Sequence, residues 1–209
     1  MKISSRKISL RFAYHKEVTV DTKKYISLIF EAAVTKRLKR TGWQILGDNW
    51  ESIGEHTFLT SVIAYFLAKT LKSDLTKVLT MSLFHDFHES RIGDADKIAL
   101  DYITRDIAKA NRDIFSAAAP ELKEMLDEYE AKKSTEARIV YESNILALLV
   151  EVKRLVENGN TNAAEWLEAN ASRVKLPEAR ELAQGIMSGN TQDWWASIRD
   201  RLRDGFRRE

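Results

Sequence analysis

The chain has no cysteine, which excludes disulfides, thiolate zinc sites and cysteine nucleophiles and fits a reducing compartment such as the cytoplasm. Only 2 prolines and 8 glycines occur in 209 residues, so turns are few and helices are favoured. Neither sign of charge is in excess: 33 Lys and Arg against 31 Asp and Glu leave a formal +2. That removes the general electrostatic case for nucleic-acid binding. No stretch approaches the roughly 18 apolar residues of a membrane span, and "MKISSRKISLRFAYHKEV" lacks the unbroken apolar run of a signal peptide. With 44% hydrophobic and 31% charged residues, the composition is that of a helix-rich globular chain long enough for one well-packed domain. We expect a single domain over residues 1–209, its core at about 21–160 and C-terminal helices 161–209 packed on it.

Periodicity sorts the chain into elements. Ile8, Leu10, Phe12 and Tyr14 alternate with more polar positions and predict a short N-terminal strand or hairpin. From Asp21, a candidate N-cap, Tyr25, Leu28, Ile29, Ala32 and Ala33 fall on one helical face, in a helix that ends by Gly42. "LKRTGWQILGDNWES" reads as a Gly-punctuated loop, long enough to be functional. "GEHTFLTSVIAYFLAKTL" is apolar nearly all round and predicts a buried central helix. Asp74 caps the next, and further helices are predicted at about 95–112, 120–132, 134–158, 161–170, 177–188 and 191–207, with Pro120 and Pro177 in first turns. The fold class is therefore all-α. Trp194 and Trp195 are expected to pack the last helix onto the body or a second subunit, and the basic "RDRLRDGFRRE", interleaved with Asp200 and Asp204, reads as a solvated helix end.

The chemistry concentrates in "FHDFHESRIGD", residues 84–94. On a continuous helix, His85, Asp86 and Glu89 lie on or beside one face. Imidazole nitrogen and carboxylate oxygen form the donor set that divalent Mn, Fe, Co, Ni or Zn accepts, provided another element completes the shell. His56, in the first turn of the apolar helix, is the best candidate for that element among only four histidines, His15, His56, His85 and His88.

"LKRTGW", "ESIGEHT", "FHDFHESRIGD" and "EARIVYESNILALL", in this order over residues 36–155, resemble the HD-domain metal-dependent phosphohydrolases, specifically their 5'-deoxynucleotidase branch. The resemblance implies metal ligation by His56, His85 and Asp86, with Glu89 and Asp94 as a catalytic acidic pair acting on water and substrate. It also implies that Arg40 grips phosphate and that Trp43 contacts substrate, with a packing role for Trp43 equally open. Arg91 either reaches substrate or pairs with an acid. The family's remaining metal ligand is an Asp on the long helix after the motif, and here that position carries Asn144. An amide oxygen can ligate but brings no charge. Three readings of Asn144 compete: a variant that tolerates the amide, a protein that binds nucleotides without cleaving them, or an Asp→Asn change that traps substrate. The otherwise intact set favours the last.

The reading implied by the resemblance is a divalent-metal-dependent enzyme (Mn, Co, Ni, Fe, Zn or Mg) that removes phosphate from (deoxy)nucleoside 5'-monophosphates, cytoplasmic and homodimeric. The alternatives are a deoxynucleoside triphosphate triphosphohydrolase and a catalytically silent nucleotide-binding protein. A nuclease is disfavoured by the near-neutral charge.

Overall fold

Helix boundaries in this chain are set by short-range capping chemistry. A computed structural model describes residues 22–48 and 50–206; the strand expected at 8–20 and the Asp21 cap lie outside these described residues. Helix α1 (Thr22–Thr35) stops well before Gly42. The segment after it is pinned at both ends, because Lys39 bridges antiparallel to Ser52, Arg40 N donates to Glu51 O at 3.0 Å and Ile53 N donates to Leu38 O at 2.9 Å. Between these ties the expected loop folds into a 3₁₀ turn, Thr41–Leu46, closed by Gly47 at φ 77, a left-handed conformation that favours glycine.

A capping box starts α2 (Ile53–Leu71): Ser52 N donates to Glu55 at 2.6 Å and Glu55 N donates to Ser52 Oγ at 3.2 Å, which satisfies two orphan amides reciprocally. Asp74 caps α3 (Leu75–Phe84), accepting from Lys77 N at 3.0 Å. The helix expected to carry His85 through Glu89 breaks. Amides of Phe87, Glu89 and Ser90 bond three residues back, which tightens the chain into turns before the single-turn α4 (Glu89–Ile92). The break sends Phe87 into one core while His85 enters another.

The helix expected at about 95–112 is also corrected. Asp96 accepts from the amides of Ile98 and Ala99, both at 2.9 Å, and this side-chain turn competes with helix. Only a 3₁₀ turn, Ala99–Asp101, forms there, and α5 (Ile107–Phe115) begins at its own cap, Asp106. The remaining boundaries follow the sequence closely: α6 (Pro120–Ala131), α7 (Thr135–Glu157), α8 (Ala163–Ala171) and α9 (Pro177–Ser188). A 3₁₀ turn at Asp193–Trp195 precedes α10 (Ala196–Phe206). Trp194 is 81% exposed, so it does not pack the last helix onto the body, while Trp195 donates to Gln192 and lies under Arg199.

Helix α7 runs through the middle, packed by α2, α3, α6, α8 and α9. Ile139, Val140, Leu146, Leu149 and Val152 have no solvent exposure and form the main core with Leu67, Val78 and Met81. Each such side chain contributes about 1.5–3 kcal/mol by burial. A second core lies beneath the α3–α4 turn, where Phe84 and Phe87 meet Phe115 at ring separations of 5.9 and 5.3 Å. Helix α2 is not buried all round as its composition suggests: Phe58 and Phe66 are 71% and 59% exposed. Among the described residues no helix is long and apolar enough to cross a membrane.

One buried charge ties the C-terminal helices to this frame. Glu142 on α7 accepts from the amides of Lys175 and Leu176, at 2.8 Å in its shortest contact, and so holds the start of α9. A Glu142→Ala chain should lose about 2 kcal/mol by stranding the buried Leu176 amide and the partly buried Lys175 amide, read as a lower urea midpoint with unchanged slope. An unshifted midpoint would show that these amides find other partners.

Candidate metal and phosphate site

The expected ligands converge from three elements. His56 projects from the first turn of α2, His85 and Asp86 from the end of α3, and Asn144 from the middle of α7. One donor atom from each of His56, His85 and Asp86 lies within 4.8 Å of the others. His85 Nδ1 donates to Ser82 O at 2.7 Å, which fixes the tautomer and leaves Nε2 bare, buried and without a hydrogen-bond donor. That bare nitrogen stands 3.1 Å from Asp86 Oδ2. Two lone pairs at this distance repel unless a proton or a cation lies between them. Burial opposes charge on His85, but the Asp86 carboxylate outweighs it and holds the imidazole above its usual range. Asp86 is half-buried, which opposes its charge, yet the neighbouring histidines keep its carboxyl well below the carboxylate range. This donor set fits a divalent cation.

His56 is completely buried, and burial together with the Arg40 charge lowers its basicity, so the ring is neutral. Arg40 Nη1 donates to Nδ1 at 3.0 Å, which places the ring proton on Nε2, donating to Asn144 Oδ1 at 3.0 Å. Asn144 Nδ2 in turn donates to the Tyr129 hydroxyl at 3.4 Å. Asn144 is half-buried at the cavity wall rather than fully buried. In the tautomer that leaves Nε2 bare, the acceptor in place for Nδ1–H is Glu51 Oε1, at 3.8 Å.

Glu51 is the residue that sequence reasoning missed. It is 1% exposed and accepts at one oxygen from Arg40 at 3.0 Å and from the Trp43 indole N–H at 2.8 Å. Burial raises its proton affinity, but the neighbouring His56 ring and the Arg40 charge win, leaving the carboxyl below its usual range. Its place beside the N-cap Ser52 was the available signal. Trp43 is 2% exposed and part of the main core, so packing is its principal role, although one edge lines the cavity.

Glu89 and Asp94 part company. Glu89 is almost fully buried, with Oε2 unpartnered and Oε1 3.3 Å from Arg105. Burial, then the charges of Asp86 and Asp94, push its carboxyl up to about 10. Asp94 instead accepts from the backbone and hydroxyl of Thr41, anchoring the 3₁₀ turn that carries Trp43, and still lines the cavity. Gly93, at φ 74, gives the chain the turn that brings Asp94 there. Arg91 pairs with Glu31 of α1 at 2.6 and 2.9 Å, which settles it as a tie between helices. His88, beside this group, is buried, and burial brings its imidazole down to about 4 despite Asp86.

Asp86, Glu89, Asp94 and Asn144 line a cavity of about 530 Å³, whose walls also include Arg40, Arg105, Tyr141, Trp166 and Arg173, within the size range of small-ligand sites. The contributions of Arg105 and α8 carried no local motif.

Comparison with known proteins places these observations. The HD domain family model matches residues 32–186. The chain is 24% identical over 161 residues to the Mus musculus 5'-deoxynucleotidase HDDC2, covering 72% of this chain and 80% of that one. Over 203 residues it is 24% identical to the 5'-deoxynucleotidase hdd1 of Schizosaccharomyces pombe, covering 87% and 99%. A Pyrococcus horikoshii protein of solved structure shares 31% identity, with a TM-score of 0.66 over 78% of this chain and 95% of its own.

Glu51 orders the Arg40–His56 pair, and its depressed proton affinity sets a pH dependence. A folded carboxyl below its unfolded value of 4.5 contributes stability that is present above that pH and lost as pH falls through the folded value. In chelator, Glu51→Gln should therefore be less stable than the native chain at pH 7, by about 2 kcal/mol, with the gap closing toward pH 3. A pH-independent gap in urea midpoints would contradict this. The chain belongs to the HD-domain family and resembles its 5'-deoxynucleotidase members.

Proposed function

We propose that the chain is a divalent-metal-dependent phosphohydrolase that removes phosphate from (deoxy)nucleoside 5'-monophosphates. The single observation that supports it most is the buried, unpartnered Nε2 of His85 facing Asp86 Oδ2 at 3.1 Å, beside a cavity of nucleotide size that Arg40 also lines. His56, His85, Asp86 and Asn144 would hold the cation. When bound, it supplies Lewis acidity toward a phosphoryl oxygen and orients the ester.

The chain's own groups do the rest. Arg40, on the cavity wall, presents a planar guanidinium suited to two phosphate oxygens. Glu89 orients the attacking water through its unpartnered Oε2; beside a bound cation, whose positive charge offsets the burial and the Asp86 charge that hold its proton, it is a carboxylate able to take the water's proton. Asp94, anchored through one oxygen by Thr41, keeps the other for the sugar or leaving oxygen. Arg105 steadies Glu89 from the side.

A second reading, nucleotide binding without turnover, is favoured by Asn144 alone, because its amide contributes no negative charge where His56 and Tyr129 hold it in place. We further place the protein in the cytoplasm as a homodimer. Val62, Tyr65 and Phe66 continue the stripe begun by Phe58 along α2, all exposed, and an apolar stripe of this kind on a soluble chain fits a subunit contact.

Two variants test the reading. Asn144→Asp should bind Mn(II) about tenfold or more tightly by calorimetry, on the scale of a restored buried charge interaction, and should release phosphate faster. Glu89→Gln in that background should keep the metal and lose about a hundredfold or more in turnover. Unchanged affinity at position 144 would remove Asn144 from the ligand set, and full activity in the Glu89 variant would remove Glu89 from the chemistry.

A further inference from the structure

Two helices wall the cavity with the same spacing. Tyr141, Asn144, Ile145 and Leu148 follow one another at intervals of 3, 1 and 3 on α7, and Trp166, Ala169, Asn170 and Arg173 do so from α8 onward. That spacing keeps the α7 set on one helical face, and Trp166, Ala169 and Asn170 on one face of α8, with Arg173 in the turn just after it. The α7 face meets the ligand cluster at Asn144; nothing in the hydrolytic chemistry uses the α8 face.

The α8 face is built and held. Arg173 Nη1 donates to Asn170 Oδ1 at 2.7 Å, and Nη2 donates to the Tyr141 hydroxyl at 3.3 Å. Asn170 Nδ2 is spent on Trp166 O at 2.8 Å. The guanidinium is thus half-buried and oriented, while three of its five N–H groups have no partner in these bonds. Its charge and hydrogen bond also lower the Tyr141 hydroxyl's proton affinity against burial. Trp166 is half-buried, its ring edge 4.0 Å from where a Cβ on Gly42 would lie, so the indole closes the cavity against the 3₁₀ turn. Glu165, on the same wall, adds a carboxylate acceptor.

We propose that this wall is a nucleobase subsite selective for guanine, with Arg173 as its specificity-determining residue and Trp166 as its apolar surface. Guanine offers two adjacent acceptors, O6 and N7, to a guanidinium fork, and an N2 amino donor to a carboxylate. Adenine places an amino donor where O6 would be, which leaves one Arg173 N–H facing another donor. The proposal rests on the nucleotidase reading, and Arg173 does not touch the reacting phosphate.

The test compares dGMP with dAMP on the Mn(II)-loaded native chain, Arg173→Leu and Arg173→Lys. Hydrolysis and calorimetric binding are read in parallel, so that a slow enzyme still reports. The native chain should favour dGMP about tenfold in kcat/KM and in Kd. Arg173→Leu should bring the ratio to about one, chiefly through a raised KM for dGMP rather than a lowered kcat; Arg173→Lys, which keeps charge without the fork, should fall between. Since the readout is a ratio, loss of folded protein does not mimic it. Equal use of both nucleotides, or a dGMP preference that survives Arg173→Leu, overturns the base assignment and leaves the nucleotidase reading standing. If nucleoside 3',5'-bisphosphates of both bases bind tighter than monophosphates, and Arg173→Leu removes that gain equally for both, the wall takes phosphate and the guanine assignment fails. Absence of binding and hydrolysis for either monophosphate overturns both readings.

Discussion

Two electron-rich atoms, His85 Nε2 and Asp86 Oδ2, stand 3.1 Å apart, Asp86 on the cavity lining and His85 buried behind it, and much of the surrounding structure exists to hold them there. Such a pair needs a proton or a cation between its atoms, and against the burial that opposes charge the Asp86 carboxylate raises the imidazole's proton affinity accordingly. The pair is held in place because the Ser82 carbonyl orients the ring from behind and because the chain cannot relax. Helix α3 ends at Phe84, the next turns are drawn tight, and Phe87 is driven into the aromatic core around Phe115. The end of one helix is thereby given up, and in the turns that replace it His85 and Asp86 meet while Phe87 enters the aromatic core.

Around this pair, charge is arranged in an outer layer that reaches the same groups from the other side. Glu51 gathers Arg40, Trp43 and His56, so the orientation of the first histidine, the phosphate-sized cation Arg40 and the packing of the 3₁₀ turn all depend on one buried carboxylate. Asp94 grips the start of that turn. The segment before α2 and the segment after α4 are therefore coupled across the cavity, and Asn144 on α7 connects both to the centre of the fold through His56 and Tyr129. Helix α8 and the turn after it complete the enclosure with Trp166 and Arg173.

What could be read from the sequence was what is decided locally. Asp74, Pro120 and Pro177 marked helix starts correctly because capping acts within a few residues, and the His85–Asp86 motif with His56 was brought together as its donor chemistry required. Local competition also caused errors: Asp96 turned the chain where hydrophobic spacing alone suggested helix. The larger omissions were nonlocal. Nothing near Arg105 announced that it would meet Glu89, sixteen residues earlier, and no motif tied Arg173 to Tyr141. Trp43 was weighed evenly between ligand and core; the structure buries it against Glu51 and leaves it also on the cavity lining. Apolar periodicity likewise did not distinguish a buried α2 from one with an uncovered stripe at Phe58 and Phe66, since both look the same in one chain.

The most direct test of a cation-dependent nucleotidase centre is phosphorus NMR of the products formed from dAMP and dATP by the protein loaded with Mn(II), quenched into chelator before recording. Inorganic phosphate from dAMP, absent when His85 is replaced by Ala, is the predicted result. Tripolyphosphate from dATP with dAMP untouched, or phosphate release that survives His85→Ala, would contradict it.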